Sequence, residues 1–136
     1  MKKISTAALV SFIIISVFLA CKKNDACVGG SGGSVTLVAY PQHHSKPILN
    51  QMNHLDSAYV KYNTQDLPGT KASSYDAILV GEANEDHVHI PSLKCGKYYI
   101  YMVGYDTTIH LRVAGGTPIE ITQSTGEKII TVPVTE

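Results

Sequence analysis

The chain lacks an excess of charge of either sign: its 136 residues carry eleven Lys plus Arg against eleven Asp plus Glu, a formal net charge of zero. Without a basic surplus there is no electrostatic footprint for nucleic acid, and without long like-charge runs there is neither a polybasic membrane patch nor an acidic tail. Catalytic signatures are missing as well. There is no Gly-x-Ser-x-Gly elbow, and Gly29-Gly30-Ser31-Gly32-Gly33 lacks the lysine and the following helix of a phosphate-binding loop. Glu85 and Asp86 are adjacent, which fits a solvated turn better than the spaced carboxylates of a glycosidase. The chain is therefore read as non-enzymatic and without an obligatory cofactor. No window shows helical periodicity of useful length, and no repeat of fixed period occurs. With 44% hydrophobic residues, the remainder is one folded domain rather than a disordered segment.

What the sequence does contain begins at its first residues. Lys2 and Lys3 precede an almost uncharged apolar run from Ile4 to Ala20, which stops at Cys21-Lys22-Lys23, the layout of an export signal. As a helix that run spans about 25 Å, short of the ~30 Å hydrocarbon core. A cut before Cys21 places Phe18 at −3, too bulky for ordinary signal peptidase. Phe18-Leu19-Ala20-Cys21 instead resembles a bacterial lipobox, which implies acylation (palmitate) of Cys21 and removal of residues 1–20. An uncleaved anchor and ordinary secretion are the alternatives. Removing residues 1–20 takes away two lysines and no acid, so the mature chain is mildly acidic. Residues 21–33, rich in Gly and Ser, read as the acylated cysteine plus a flexible linker. Residues 34–136 are the folded domain.

Within that domain hydrophobicity alternates with a period of two, and turn residues interrupt it every eight to twelve positions. Candidate strands are 34–41, 58–63, 75–81, 87–91, 97–104, 107–114, 117–123 and 128–135. Gly115-Gly116 predicts a tight hairpin between the sixth and seventh. Residues 93–106, from Leu93-Lys94-Cys95-Gly96-Lys97-Tyr98 to Gly104-Tyr105-Asp106, resemble the Leu-x-x-Gly-x-Tyr then Gly-Tyr pattern of carboxypeptidase-regulatory-like, or prealbumin-like, domains. Lys46-Pro47-Ile48 and Ala58-Tyr59-Val60-Lys61-Tyr62 are a weaker upstream echo. The resemblance implies an all-β, antiparallel sandwich of seven to eight strands, prealbumin-like or Ig-like. It implies no particular chemistry, because such modules accompany many activities.

Alternating strand directions sort the loops into two ends. Cys27 and Cys95 fall at the anchor end, and in an oxidising envelope compartment two remaining thiols can pair, so a Cys27–Cys95 disulfide is expected, with two unpaired cysteines as the alternative. The opposite end collects His43, His44, His54 and His87 with Glu82, Glu85, Asp86 and Asp106, and also the turn after the seventh strand. Neutral imidazoles and carboxylates are donors for Zn²⁺ or Cu²⁺, so a metal site of His43 or His44, His87 and either His54 or Asp86 is a candidate. The competing reading is ordinary polar loop residues, since no compact motif such as His-Glu-x-x-His is present. His87 and His89 also share a strand face.

The tyrosines add a further candidate. Tyr98, Ile100 and Met102 occupy one face of their strand and Tyr99, Tyr101 and Val103 the other, so one set fills the core while Tyr99 and Tyr101 form an outer platform for sugar or peptide, or simply cover a neighbouring strand. The expectation is a lipid-anchored protein of the cell envelope, at the outer membrane, whose sandwich is a binding or accessory module for an envelope protein or glycan. Metal binding by loop histidines and assembly through unpaired edge strands are the alternatives.

Overall fold

The computed structural model describes residues 27–136. The proposed signal segment and Cys21 lie outside the described residues. Among the described residues eight strands form two four-stranded sheets, with one 3₁₀ turn at Ala72–Ser74: β1 (Ser31–His43), β2 (Lys46–Pro47), β3 (Ser57–Tyr62), β4 (Ala77–Val80), β5 (Val88–Leu93), β6 (Gly96–Asp106), β7 (Leu111–Ile121) and β8 (Thr125–Val134). In one sheet β1 pairs with β2, β5 and β8; the other runs β4-β3-β6-β7. The expected all-β sandwich is what the chain forms. Its two inner faces meet through the alternating residues: Val35, Leu37 and Ala39 of β1 against Tyr98, Ile100 and Met102 of β6, all fully buried. Tyr99 and Tyr101 stay half-buried on the outer face.

The structure corrects the reading in three places. The first is Gly115-Gly116, which makes no hairpin. Both glycines lie inside the continuous strand β7, and neither adopts a positive φ. They serve close approach instead: a Cβ on Gly115 would run into the Pro133 carbonyl, and one on Gly116 into the Tyr99 ring. The hairpin falls earlier, between β6 and β7, where Asp106 Oδ1 accepts the Thr108 N–H at 2.8 Å and His110 turns the chain at φ 55°.

Merging two expected strands into one changes the parity of everything after it. β8 therefore runs parallel to β1, in register from Ser34 opposite Thr125 to His43 opposite Val134. The turn before β8 lies at the disulfide end, where Ser124 lines a cleft with Cys27 and Cys95, and not at the histidine end.

The third difference concerns the expected linker. β1 begins at Ser31, and the residues before it are built into the fold. Cys27 is bonded to Cys95 with a Cα–Cα separation of 5.0 Å, and Asn63 Nδ2 donates to the Gly29 carbonyl at 3.0 Å. The buried Tyr98 hydroxyl sits between the Gly30 N–H at 2.9 Å and the Lys94 carbonyl at 2.6 Å. A chain as rich in glycine as this one is free only where nothing satisfies its backbone, and here the Gly29 and Gly30 carbonyls and the Gly30 N–H all have partners.

Candidate functional site

β1 and β6 both run from the disulfide end to the opposite end, where they bring distant side chains together. His43, the last residue of β1, is 3% exposed. Its Nδ1 is 2.8 Å from Asp106 Oδ2, at the end of β6, and its Nε2 is 2.8 Å from Glu136 Oε2, just beyond β8. Carboxylates only accept hydrogen bonds, so two of them on the two ring nitrogens favour the doubly protonated imidazolium. The hydrogen bonds to Asp106 and then Glu136 accordingly raise the His43 pKa above 6.5, while the His43 hydrogen bond holds Asp106 down at about 2. Glu136 is also lowered, by its own backbone N–H first and then by His43.

The His44 ring packs beside that of His43, tilted by 44°, with centroids 4.1 Å apart. His44 forms, with Ser45, the two-residue turn between β1 and β2, at φ 48° and 64°. That pair of positive values is the type I′ geometry that suits a hairpin and that Asn-Gly adopts most readily; His-Ser holds it under strain. A cleft of about 350 Å³ opens beside the turn, lined by His43, His44, Lys46, Ile48, Asp106 and Ile109 among others.

A second grouping lies where β5 begins. His87 Nε2 is 3.0 Å from His89 Nε2 and 3.5 Å from Glu85 Oε2, and His87 Nδ1 is 3.0 Å from Asp86 Oδ1. The His87 ring also packs against Tyr40 of β1, with centroids 5.0 Å apart. The segment is held from below by Asn50, which is fully buried. The Asn50 backbone N–H donates to the Glu85 carbonyl at 2.7 Å, and its Nδ2 donates to the His87 carbonyl at 3.2 Å. Its Oδ1 accepts the Asp56 N–H.

Replacing Asn50 by Ala leaves the His87 carbonyl and the Asp56 N–H without these partners. The expected result is a loss of about 2–3 kcal/mol, with amide exchange accelerated through Glu85–His87. Urea denaturation and hydrogen exchange check both, and an unchanged midpoint would remove Asn50 from this role.

The four histidines of the sequence reading do not form one ligand set. The described residues hold two separate clusters of potential donors, His43 with His44 and Glu136, and Glu85 with His87 and His89. His54 joins neither: it stacks on Tyr105 with centroids 4.1 Å apart and an interplanar angle of 15°. Glu136 and Asp106 reach His43 across 93 and 63 residues, separations that no local pattern signals. His89 was within reach of the sequence, because it shares a face with His87 on the expected strand 87–91, whereas Glu85 lies in the loop that precedes β5.

On the other sheet Tyr59, Tyr75 and Tyr101 gather with ring centroids 5.5 to 6.1 Å apart. Tyr99 lies nearby over Gly116. Burial pushes Tyr75 up to about 12 and Tyr99 upward too, so their hydroxyls are neutral donors. The rings are tilted against one another by 26° to 49°, a packed patch rather than a flat shelf. No family model, curated protein or solved structure matches the chain, so the chemistry of these clusters stands on their own geometry.

Proposed function

We propose that the chain is a membrane-anchored, non-catalytic lipoprotein of the cell envelope, acylated at Cys21, whose sandwich is a binding or accessory module. The observation that supports this most directly is the polarity of the fold. Cys27, six positions after Cys21, is fastened to Cys95 beside the start of β6, and Asp106 at the other end of β6 belongs to the histidine rim. The eleven residues of β6 make ten steps between the two ends, about 33 Å at 3.3 Å per step. An anchor entering at the disulfide end holds the rim off the membrane.

That rim has the make-up of a binding surface. Beside the charged groups it exposes Leu49, Met52, Leu55 and Ile109, which lie 39% to 82% open to solvent, a concentration of apolar surface that favours contact with another molecule. A second reading, a protein that binds divalent metal through the rim, is favoured by the cluster of Glu85, His87 and His89. Assembly through edge strands draws support from β4, a four-residue edge strand exposing Ile78 and Val80.

The anchor is tested by metabolic labelling. The full chain produced in a bacterium is expected to incorporate labelled palmitate and to sediment with membranes, and Cys21→Ser is expected to lose the label. A wild-type chain that carries no acyl group overturns the anchoring.

A further inference from the structure

The two histidine clusters differ in what their nitrogens face. Both nitrogens of the buried His43 ring are engaged by carboxylates, the partly buried Asp106 and the exposed Glu136, so that ring bridges the two. The second cluster is built the other way. Asp86 Oδ1 can only accept, so the hydrogen of a neutral His87 resides on Nδ1 and its lone pair on Nε2. That lone pair points at His89 Nε2 and at the Glu85 carboxylate. Three electron-rich atoms converge, all within 4.8 Å of one another, at the partly exposed junction of the loop carrying Glu85 and His87 with the first residues of β5.

We propose that Glu85, His87 and His89 bind a divalent transition-metal ion of the Zn²⁺ and Cu²⁺ class, with Asp86 positioning His87. The spacing is that of a coordination sphere: donors about 2.0–2.1 Å from a tetrahedral ion stand about 3.3 Å from one another, and His87 Nε2 lies 3.0 Å and 3.5 Å from its two neighbours. The carboxylate behind a ligating imidazole, which fixes its tautomer and raises its basicity, is the usual companion of such ligands.

The backbone is preset for the task. Asn50 holds the carbonyls of Glu85 and His87, and β1 fixes the next residues by pairing Val38 with His89 and Ala39 with Val88. Binding therefore requires side-chain rotation but little reordering of the chain. Three protein donors leave a fourth position open to water or to a donor from a partner, which suits a module that presents its rim outward. The proposal rests on the reading of the rim as a binding surface and is independent of the acyl anchor.

The test uses the full chain in detergent, without an affinity tag, titrated calorimetrically with Zn²⁺, Cu²⁺ and Ca²⁺. One ion per chain is expected, Cu²⁺ tighter than Zn²⁺ and Ca²⁺ not bound, following ligand type and the order of stabilities for these ions. His87→Ala and His89→Ala should each weaken binding by at least about 100-fold, and Asp86→Asn by about 10–100-fold, the usual effect of losing an orienting carboxylate. His44→Ala should leave affinity unchanged. The electron paramagnetic resonance spectrum of the Cu²⁺ form should show two coordinated nitrogens, falling to one in either His87→Ala or His89→Ala. Absence of saturable binding, binding that survives both histidine variants, or loss of binding in His44→Ala overturns the proposal. An unacylated Cys21 would leave these titrations as they are, so the two ideas fail separately.

Discussion

Replacing Cys27 and Cys95 together by Ser lowers the stability of the folded domain by about 4 kcal/mol. The bond closes a loop of 68 residues, and restricting a loop of that length in the unfolded chain contributes about that much in the chain-entropy account. For a domain of this size the melting temperature should fall by roughly 15–20 °C. The architecture itself should survive. Tyr98 still donates its hydroxyl to the Lys94 carbonyl, and Asn63 still holds the Gly29 carbonyl, so the entry of the chain keeps its place on the sandwich. Cys27 is exposed, which makes the bond accessible to reductant. Reduced wild type should therefore melt with the double variant, and the agreement of the two separates the cross-link from any packing change caused by serine. A shift of less than about 1 kcal/mol in both would mean that the hydrogen bonds around Gly29 and Gly30 already restrict the unfolded chain as much as the bond does.

The disulfide was legible because it depends only on what precedes Gly115. Parity counted over the five expected strands from 34–41 to 97–104 is correct, and it is this stretch that sets the end at which Cys27 and Cys95 lie. Beyond it the count fails, since two adjacent glycines carry the same local signal whether they turn the chain or make room for a neighbour. Only the Pro133 carbonyl and the Tyr99 ring, each supplied by another strand, decide between the two. The same limit explains the histidines. Alternation along the expected strand 87–91 reveals that His87 and His89 share a face, whereas the approach of Glu85 depends on the loop before β5, and the partnership of His43 with Glu136 requires knowing that β8 runs parallel to β1. Local periodicity reports which way a side chain faces, and only the completed sheet reports what it meets.

Asp56→Asn should stabilise the protein at pH 8 by about 2–4 kcal/mol and make no difference at pH 4. Asp56 is fully buried, and among the described residues neither of its carboxyl oxygens has a hydrogen-bond partner. It is enclosed by close neighbours, with Asn50 accepting its backbone N–H and Gly104 lying against Oδ1, where any Cβ would collide. Burial raises its pKa from 3.8 to about 7, outweighing the smaller opposing effect of the nearby Tyr105 backbone N–H, which falls short of hydrogen-bond geometry. The folded state therefore holds a proton that the unfolded state has released between those values, so stability falls as pH rises from 3.8 and levels off above about 7. Three units correspond to about 4 kcal/mol, an upper bound that residual solvent screening reduces.

His43 acts in the same direction. Its contribution is complete below pH 6.5 and is lost as pH rises through its raised value, while that of Asp106 is complete above 3.8 and is lost as pH falls toward about 2. Wild type should thus be most stable near pH 4–5. The Asn variant should keep its stability up to about pH 6.5 and then lose only the share that His43 supplies. Urea denaturation of both proteins at pH 4.5, 6 and 8 resolves the two groups, and a variant no more stable than wild type at pH 8 would show that Asp56 ionises without penalty. Because Asn50 binds both the Asp56 N–H and the His87 carbonyl, the charge on Asp56 is also felt beneath the proposed metal ligands. Amide exchange at Glu85–His87 should accordingly quicken with rising pH beyond its intrinsic rate in wild type, and not in Asp56→Asn.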